Sequence, residues 1–170
     1  MGWEMRNIRI AIQVKKAKDA EGKEVLKVSV PMRLMFEEDF DADWLDRQLK
    51  KFEEEYIQLV ANLNKISKQV KSTRGKGKVL LYWKFGDETV KFMEQNEKGV
   101  LFLENVTRNL VRDVGVSDKM LTRCRKLRLL YPDILKVDPN RSFDSYISMF
   151  EGGYISAKRR QERETEAKDA

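Results

Sequence analysis

The side chains of this sequence that could do chemistry are mostly cationic, and several of them cluster in one segment. Residues 117–130 contain five Lys or Arg and a single acid, Asp118. That acid stands in the first turn of the predicted helix, where the helix dipole favours negative charge. Arg can hydrogen-bond the edges of guanine in a major groove, and Lys can contact phosphates. The segment therefore predicts binding to a polyanion, although a solvated basic face on an ordinary bundle helix has the same composition.

Catalysis of the commonest kinds is excluded by the residues that the sequence lacks. It contains no His and one Cys, Cys124. A Ser-His-Asp triad, a Cys-His pair, a His general base and a Cys/His zinc site are therefore impossible within one chain. We expect a protein that is not an enzyme, with no catalytic residues, no metal and no cofactor. The single Cys also excludes an internal disulfide and fits a reducing cytoplasm.

The overall charge agrees with a polyanionic partner. Charged residues make up 36% of the chain, against about 25% in an average soluble protein. Lys and Arg exceed Asp and Glu by 34 to 28, which gives a net charge of +6. No apolar run approaches the ~18 residues of a membrane span, and no secretory leader is visible. We expect a cytoplasmic, nucleoid-associated protein with no membrane partner.

The elements around residues 117–130 predict how their side chains are positioned. Ser117 is a good N-cap and Pro132 ends the helix. A preceding helical pattern over 101–114 is ended by Gly115, and helix, tight turn and basic helix together form the layout of a helix-turn-helix. We expect the side chains of the outward face to contact DNA, together with Arg125, which flanks that face; the outward residues are Lys119, Thr122, Arg123 and Lys126.

A basic linker and further helices flank this motif. Residues 72–78 contain two Gly and four cations, and we expect phosphate contacts from Arg74, Lys76 and Lys78. The alternative is that these cations are only solvated. A helix over 79–95 follows the linker, a short helix is predicted over 143–150, and residues 151–170 form a charged tail.

The clearest periodic signal predicts a long helix over residues 43–71. Eight apolar residues repeat there at spacings of four and three, a heptad pattern that needs a partner surface along its whole length. The partner is either the rest of this chain or the same helix of a second copy, and we expect a homodimer. The predicted dimerisation residues are Leu45, Leu49, Phe52, Tyr56, Leu59, Leu63, Ile66 and Val70.

The N-terminal residues 7–30 alternate apolar and polar side chains on both sides of a polar turn, which predicts a β-hairpin. The predicted fold is therefore mainly α with an N-terminal β-hairpin. In it a long heptad helix precedes a helix-turn-helix-like bundle. The expected organisation is a hairpin and helix arm over 1–71, the basic linker, a domain over 79–150, and the tail.

One part of the sequence resembles a known family. It has L-Y-W-K-F-G at 81–86, G-V-S at 115–117, L-Y-P at 130–132 and S-F-D-S-Y at 142–146. These motifs, in this order, resemble the helix-turn-helix-like N-terminal domain of the YhcG-type PD-(D/E)XK nucleases of bacteria and archaea. The resemblance covers about residues 79–150 and implies a prokaryotic DNA-binding module. We expect no nuclease domain after it, and so a separate nuclease or mobile-element machinery as the possible partner.

The leading hypothesis is a dimeric, non-catalytic protein that binds double-stranded DNA with the helix at 117–130 in the major groove. A protein-interaction adaptor, whose heptad helix binds a coiled-coil partner without DNA contact, is the main alternative. An RNA-binding subunit and a metal-dependent nuclease are weaker alternatives.

Overall fold

The computed structural model describes residues 9–30 and 41–151, and it confirms a mainly helical chain with an N-terminal hairpin. A short 3-10 turn, Ile134–Lys136, lies between the last two helices. The strands and helices, in chain order, are β1 (Ile10–Lys18), β2 (Glu24–Ser29), α1 (Ala42–Ser72), α2 (Lys78–Lys98), β3 (Leu101–Leu103), α3 (Val106–Val114), α4 (Asp118–Leu130) and α5, whose described part is 143–151.

The predicted hairpin is confirmed. Strands β1 and β2 pair antiparallel from Gln13 opposite Ser29 to Lys18 opposite Glu24. The strands extend further into the polar stretch than the sequence pattern predicted. This is possible because the carboxylate of Asp19 accepts the backbone N–H groups of Glu21 and Lys23, both at 2.9 Å, and closes a tight turn.

The predicted start of the helix over 101–114 is wrong, because residues 101–103 form a strand. Strand β3 lies parallel to β1, with Ile12 opposite Leu103, and makes the sheet order β2-β1-β3. The Asn96 side chain holds this strand in place. Its Oδ1 accepts from the N–H of Leu103 at 2.7 Å, and its Nδ2 donates to the carbonyl of Leu103 at 3.0 Å. Helix α3 consequently begins only at Val106.

The long helix is confirmed, and its heptad stripe packs inside the chain. Its N-cap, Asp41, accepts a hydrogen bond from the N–H of Trp44. Leu45, Tyr56, Leu59, Leu63 and Val70 are buried, whereas Leu49, Phe52 and Ile66 are half-buried. All but Val70 belong to or pack against one core that also contains side chains of the sheet, α2, α3 and α4. Their side chains pack within the chain, and the homodimer that we expected stays a prediction.

A buried polar network joins α1, α3 and the sheet. The Tyr56 hydroxyl donates to Asp113 Oδ2 at 2.6 Å, and the Asp113 side chain is fully buried. Arg112 donates to the other oxygen of that carboxylate at 2.6 Å and to the carbonyl of Val14 at 3.2 Å. Burial and the hydrogen bond to Asp113 raise the pKa of Tyr56, so its hydroxyl remains a donor. The network fixes α3 relative to the sheet.

Helix α4 lies antiparallel to α2 in close contact. The Trp83 indole Nε1 donates to the carbonyl of Tyr131 at 2.7 Å, and Asp87 binds Arg128 one turn further along α2. Gly86, which lies between Trp83 and Asp87 on α2, faces the backbone of Cys124 on α4. The approach is so close that only a residue without a side chain fits there. The position and rotation of α4 are therefore set by α2.

The turn before α4 also agrees with the sequence. Gly115 has φ of 76°, the left-handed conformation expected at the end of α3. Ser117 Oγ accepts from the N–H of Met120 at 3.1 Å, the predicted N-cap. The helix at 79–95 is confirmed as α2, although it extends to Lys98, and the short helix at 143–150 is confirmed as α5.

Some predictions fall outside the described residues. These are the first residues of the predicted hairpin and all but the first residue of the charged tail at 151–170. No helix in the described ranges is long and apolar enough to cross a membrane.

Candidate nucleic-acid interface

Helix α4 exposes a polar face to solvent opposite the face that packs in the core. Leu121, Cys124 and Leu127 are buried, while Lys119, Thr122 and Lys126 are exposed. Burial raises the pKa of the Cys124 thiol to about 12, so it is not a reactive nucleophile. Three of the five residues predicted on this helix therefore lie where a ligand could reach them.

Arg123 does not present a free guanidinium, contrary to the prediction. Its Nε and Nη2 donate to the two carboxylate oxygens of Glu151 in α5, at 3.0 and 2.8 Å. The Arg123 hydrogen bond, together with the charges of Lys119 and Lys126, holds the pKa of Glu151 below its ordinary value. A carboxylate thus lies among the cations of α4, and a phosphate that approached Arg123 would compete with it for two of the three guanidinium nitrogens.

Arg125 lies away from the exposed face of α4, and its contact with DNA stays a prediction. The side chain is half-buried, and its Nε is buried without a hydrogen-bond partner among the described residues. It lines an open cavity of about 660 Å³ between the C-terminal end of α2 and the start of α3. The rotation of α4 imposed by α2 directs Arg125 to this side.

The linker forms a second cationic surface, near the N-terminal end of α2 and the C-terminal end of α4. Gly75 and Gly77 both have positive φ, which lets the chain turn sharply from α1 into α2. Arg74 and Lys76 are exposed and Lys78 is half-buried. Arg74 and Lys76 therefore lie in the loop between α1 and α2, and Lys78 is the first residue of α2.

The basic surface is longer than the linker. Six cations and no acid occur over residues 65–78, and all but the last are exposed. None of the six, and neither Lys119 nor Lys126, forms an ion pair with another described residue. The set in this segment is Lys65, Lys68, Lys71, Arg74, Lys76 and Lys78.

Sequence reasoning missed part of this surface. Lys65, Lys68 and Lys71 are not among the phosphate contacts predicted from the sequence, although the absence of Asp and Glu from 65–86 is visible there. The ion pair of Glu151 with Arg123 could not be predicted from the sequence, because the two residues are 28 positions apart.

Within residues 9–30 and 41–151, no group of three or more His, Cys, Asp or Glu side chains lies close enough together to hold a metal ion. Comparison of the chain with protein-family models, with curated proteins and with solved structures finds no match.

Proposed function

We propose that this protein binds double-stranded DNA without cutting it. The observation that carries the proposal is the set of eight cations on α4 and residues 65–78 that form no ion pair with another described residue. Lys and Arg that neutralise phosphates release condensed counterions, and this release supplies much of the affinity for duplex DNA. Cations without an ion-pair partner among the described residues are suited to that partner.

Helix α4 is the element we assign to the major groove. It is held rigidly on α2, and it exposes Lys119, Thr122 and Lys126 on one face. Thr can contact base edges and Lys can contact either phosphates or guanine. The order of α3, the turn at Gly115 and the basic helix α4 supports the proposed helix-turn-helix, for which a basic second helix in the groove is typical.

The resemblance of residues 79–150 to the N-terminal domain of YhcG-type nucleases supports the same proposal. By that resemblance, the protein partner we propose is a separate nuclease or a component of a mobile element. Arg74, Lys76 and Lys78 are assigned to the phosphate backbone beside the groove.

Replacing both Lys119 and Lys126 with Ala tests this assignment. If each contacts one phosphate, we expect duplex affinity to fall by roughly 100-fold at about 50 mM salt, and the slope of log K against log salt to decrease by about two. Fluorescence anisotropy with a labelled duplex measures both. Both positions are exposed and Ala favours helix, so the fold is retained.

The matched control replaces Lys23 and Lys27 of the hairpin, which are also exposed and carry the same charge. It should bind the duplex nearly as well as the unmodified chain. Equal losses in the two double variants would mean that only net charge matters, and would contradict a groove site on α4.

Replacing Glu151 with Gln is expected to strengthen binding. The change removes a negative charge from the cations of α4 and releases Arg123 to contact a phosphate. One added phosphate contact raises affinity by roughly tenfold at about 50 mM salt and steepens the salt slope by about one. The control is the same substitution at Glu21, in the hairpin turn. If Glu151→Gln raised the duplex affinity no more than Glu21→Gln does, the placement of DNA next to Arg123 would be contradicted.

Protein interaction is a second candidate function, favoured by exposed apolar side chains near the C-terminal end of α4. Leu129 is 56% exposed and Leu135 is 88% exposed. The heptad stripe, by contrast, lies in the core and offers no coiled-coil surface. Binding through Leu129 and Leu135 would depend little on salt, so the salt dependence separates the two functions.

Competition between duplex DNA, duplex RNA and single strands identifies the nucleic acid. A helix cannot enter the deep, narrow major groove of RNA, so α4 should prefer duplex DNA. Tighter binding to duplex RNA would contradict the groove assignment while leaving the cationic surface as the binding site.

A further inference from the structure

A cavity of about 370 Å³ lies between the basic linker, the first turns of α2 and the turn that leads into α5. Most of its charged lining is cationic. Lys76 and Lys78 come from the linker side, Arg141 comes from the turn, and Asp144 is the one acid among the lining residues.

Two contacts fix the walls of this cavity relative to each other. The N–H of Gly77 donates to the carbonyl of Pro139 at 2.7 Å, which ties the linker to the turn. The rings of Tyr82 and Phe143 stack in parallel, with centroids 4.0 Å apart, and join α2 to α5. The backbone segments that carry the cationic side chains are therefore fixed relative to each other around the cavity.

Hydrogen-bond donors of this cavity remain available to a ligand. Arg141 uses its Nε to donate to Ser145 Oγ at 2.9 Å, and no hydrogen bond within the described residues uses its terminal nitrogens. The N-cap residue of α2 is Gly77, which has no side chain to cap the first amides, and the first turn of α2 contains no acid. Neither Lys76 nor Lys78 is paired with a described residue.

We propose that this cavity binds a phosphate group of nucleic acid, either within a strand or at its end. The inference rests on the proposed function and goes beyond it by assigning one phosphate to a defined cavity. Guanidinium and ammonium groups form charge-assisted hydrogen bonds to phosphate. The partial positive charge at the start of α2 adds to them. Tyr82 and Phe143 provide an apolar wall on which the neighbouring sugar or base can pack.

Inorganic phosphate at constant ionic strength is the probe for the first test. We expect saturable shifts of the backbone amide resonances of Lys78 and Val79 in the unmodified protein. The Lys76→Ala/Lys78→Ala variant should bind at least about tenfold more weakly, because two charge-assisted bonds are lost, whereas Lys23→Ala/Lys27→Ala should bind normally. Lys76→Gln, at an exposed position outside α2, repeats the test without altering a helix. No saturable shift, or an equal shift in the cavity variant, would overturn the proposal.

Duplexes with 5′-phosphate or 5′-hydroxyl ends then identify the source of the phosphate. A preference for the phosphorylated duplex that the Lys76→Ala/Lys78→Ala variant loses assigns the cavity to a strand end. Equal affinity for both duplexes, reduced in that variant, assigns it to a phosphate within the strand. Duplex binding that the variant leaves unchanged overturns the cavity proposal and leaves the proposed function intact. Phosphate binding with no binding of either duplex contradicts the proposed function, and it also overturns the assignment of the cavity to a phosphate of nucleic acid, leaving only a site for free phosphate.

Discussion

Replacing Gly86 with Ala is expected to lower the free energy of unfolding by about 3 kcal/mol or more. A Cβ at this position would lie 2.6 Å from the carbonyl carbon of Cys124 and closer still to its oxygen. Both atoms belong to the backbone of α4, so no side chain can rotate to make room, and the two helices must separate. Urea denaturation followed by circular dichroism measures the loss.

The sign of this effect distinguishes packing from helix propensity. Ala is favoured over Gly by about 1 kcal/mol within a helix, so propensity alone predicts that Gly86→Ala stabilises the protein. The control is Ala61→Gly in α1, an exposed position where only propensity acts and a loss of about 1 kcal/mol is expected. A Gly86→Ala protein as stable as the unmodified chain would contradict the close contact of α2 and α4.

The second large effect is expected on replacing Asp87, whose carboxylate forms an ion pair with Arg128 of α4. Its side chain is 12% exposed, and its carboxylate oxygens lie 2.6 Å from Arg128 Nε and 2.7 Å from Lys91 Nζ. Replacing Asp87 with Asn keeps the shape but leaves Arg128 half-buried without a counter-charge. We expect a loss of about 2–3 kcal/mol at neutral pH, below that of a fully buried pair because Arg128 keeps some contact with water.

This loss should depend on pH in a defined direction. Burial favours the protonated carboxyl, but the hydrogen bonds from Lys91 and Arg128 overcome it and lower the pKa of Asp87. A lowered folded-state pKa contributes stability that is complete above the unfolded value, near ~3.9, and is lost as pH falls through the folded value. The difference between the two proteins should therefore shrink in urea titrations below about pH 4. A difference that is constant with pH would contradict the charge contribution.

The Lys91→Ala variant separates the two partners of Asp87. The Lys91 side chain is 61% exposed and pairs with Asp87 along the same helix. Such exposed pairs contribute about 0.5 kcal/mol or less. A loss as large as that of Asp87→Asn would show that Arg128 is not the main partner.

The sequence predicted the elements whose signal is local. The alternation of Ile10, Ile12 and Val14 specifies a strand, and the heptad spacing of α1 specifies a helix and the face that it buries. Ser117 and Gly115 mark the ends of helices through side-chain and backbone geometry that needs no distant partner. These features are all present in the structure.

Features that depend on distant partners could not be predicted in this way. Strand β3 has three residues, too few to show a period, and it forms because β1 lies beside it. A heptad stripe indicates that a partner surface exists but not whether it belongs to the same chain. The ion pair between Arg123 and Glu151 likewise depends on how α5 packs on α4.

The measurement that tests the central claim most directly is the affinity of the whole chain for a labelled DNA duplex at about 50 and 200 mM salt, followed by fluorescence anisotropy. The account predicts micromolar or tighter binding at the lower concentration and a loss of about 10³-fold or more at the higher one, as for a protein that contacts six or more phosphates. No binding at low salt, or binding that salt leaves unchanged, would contradict it.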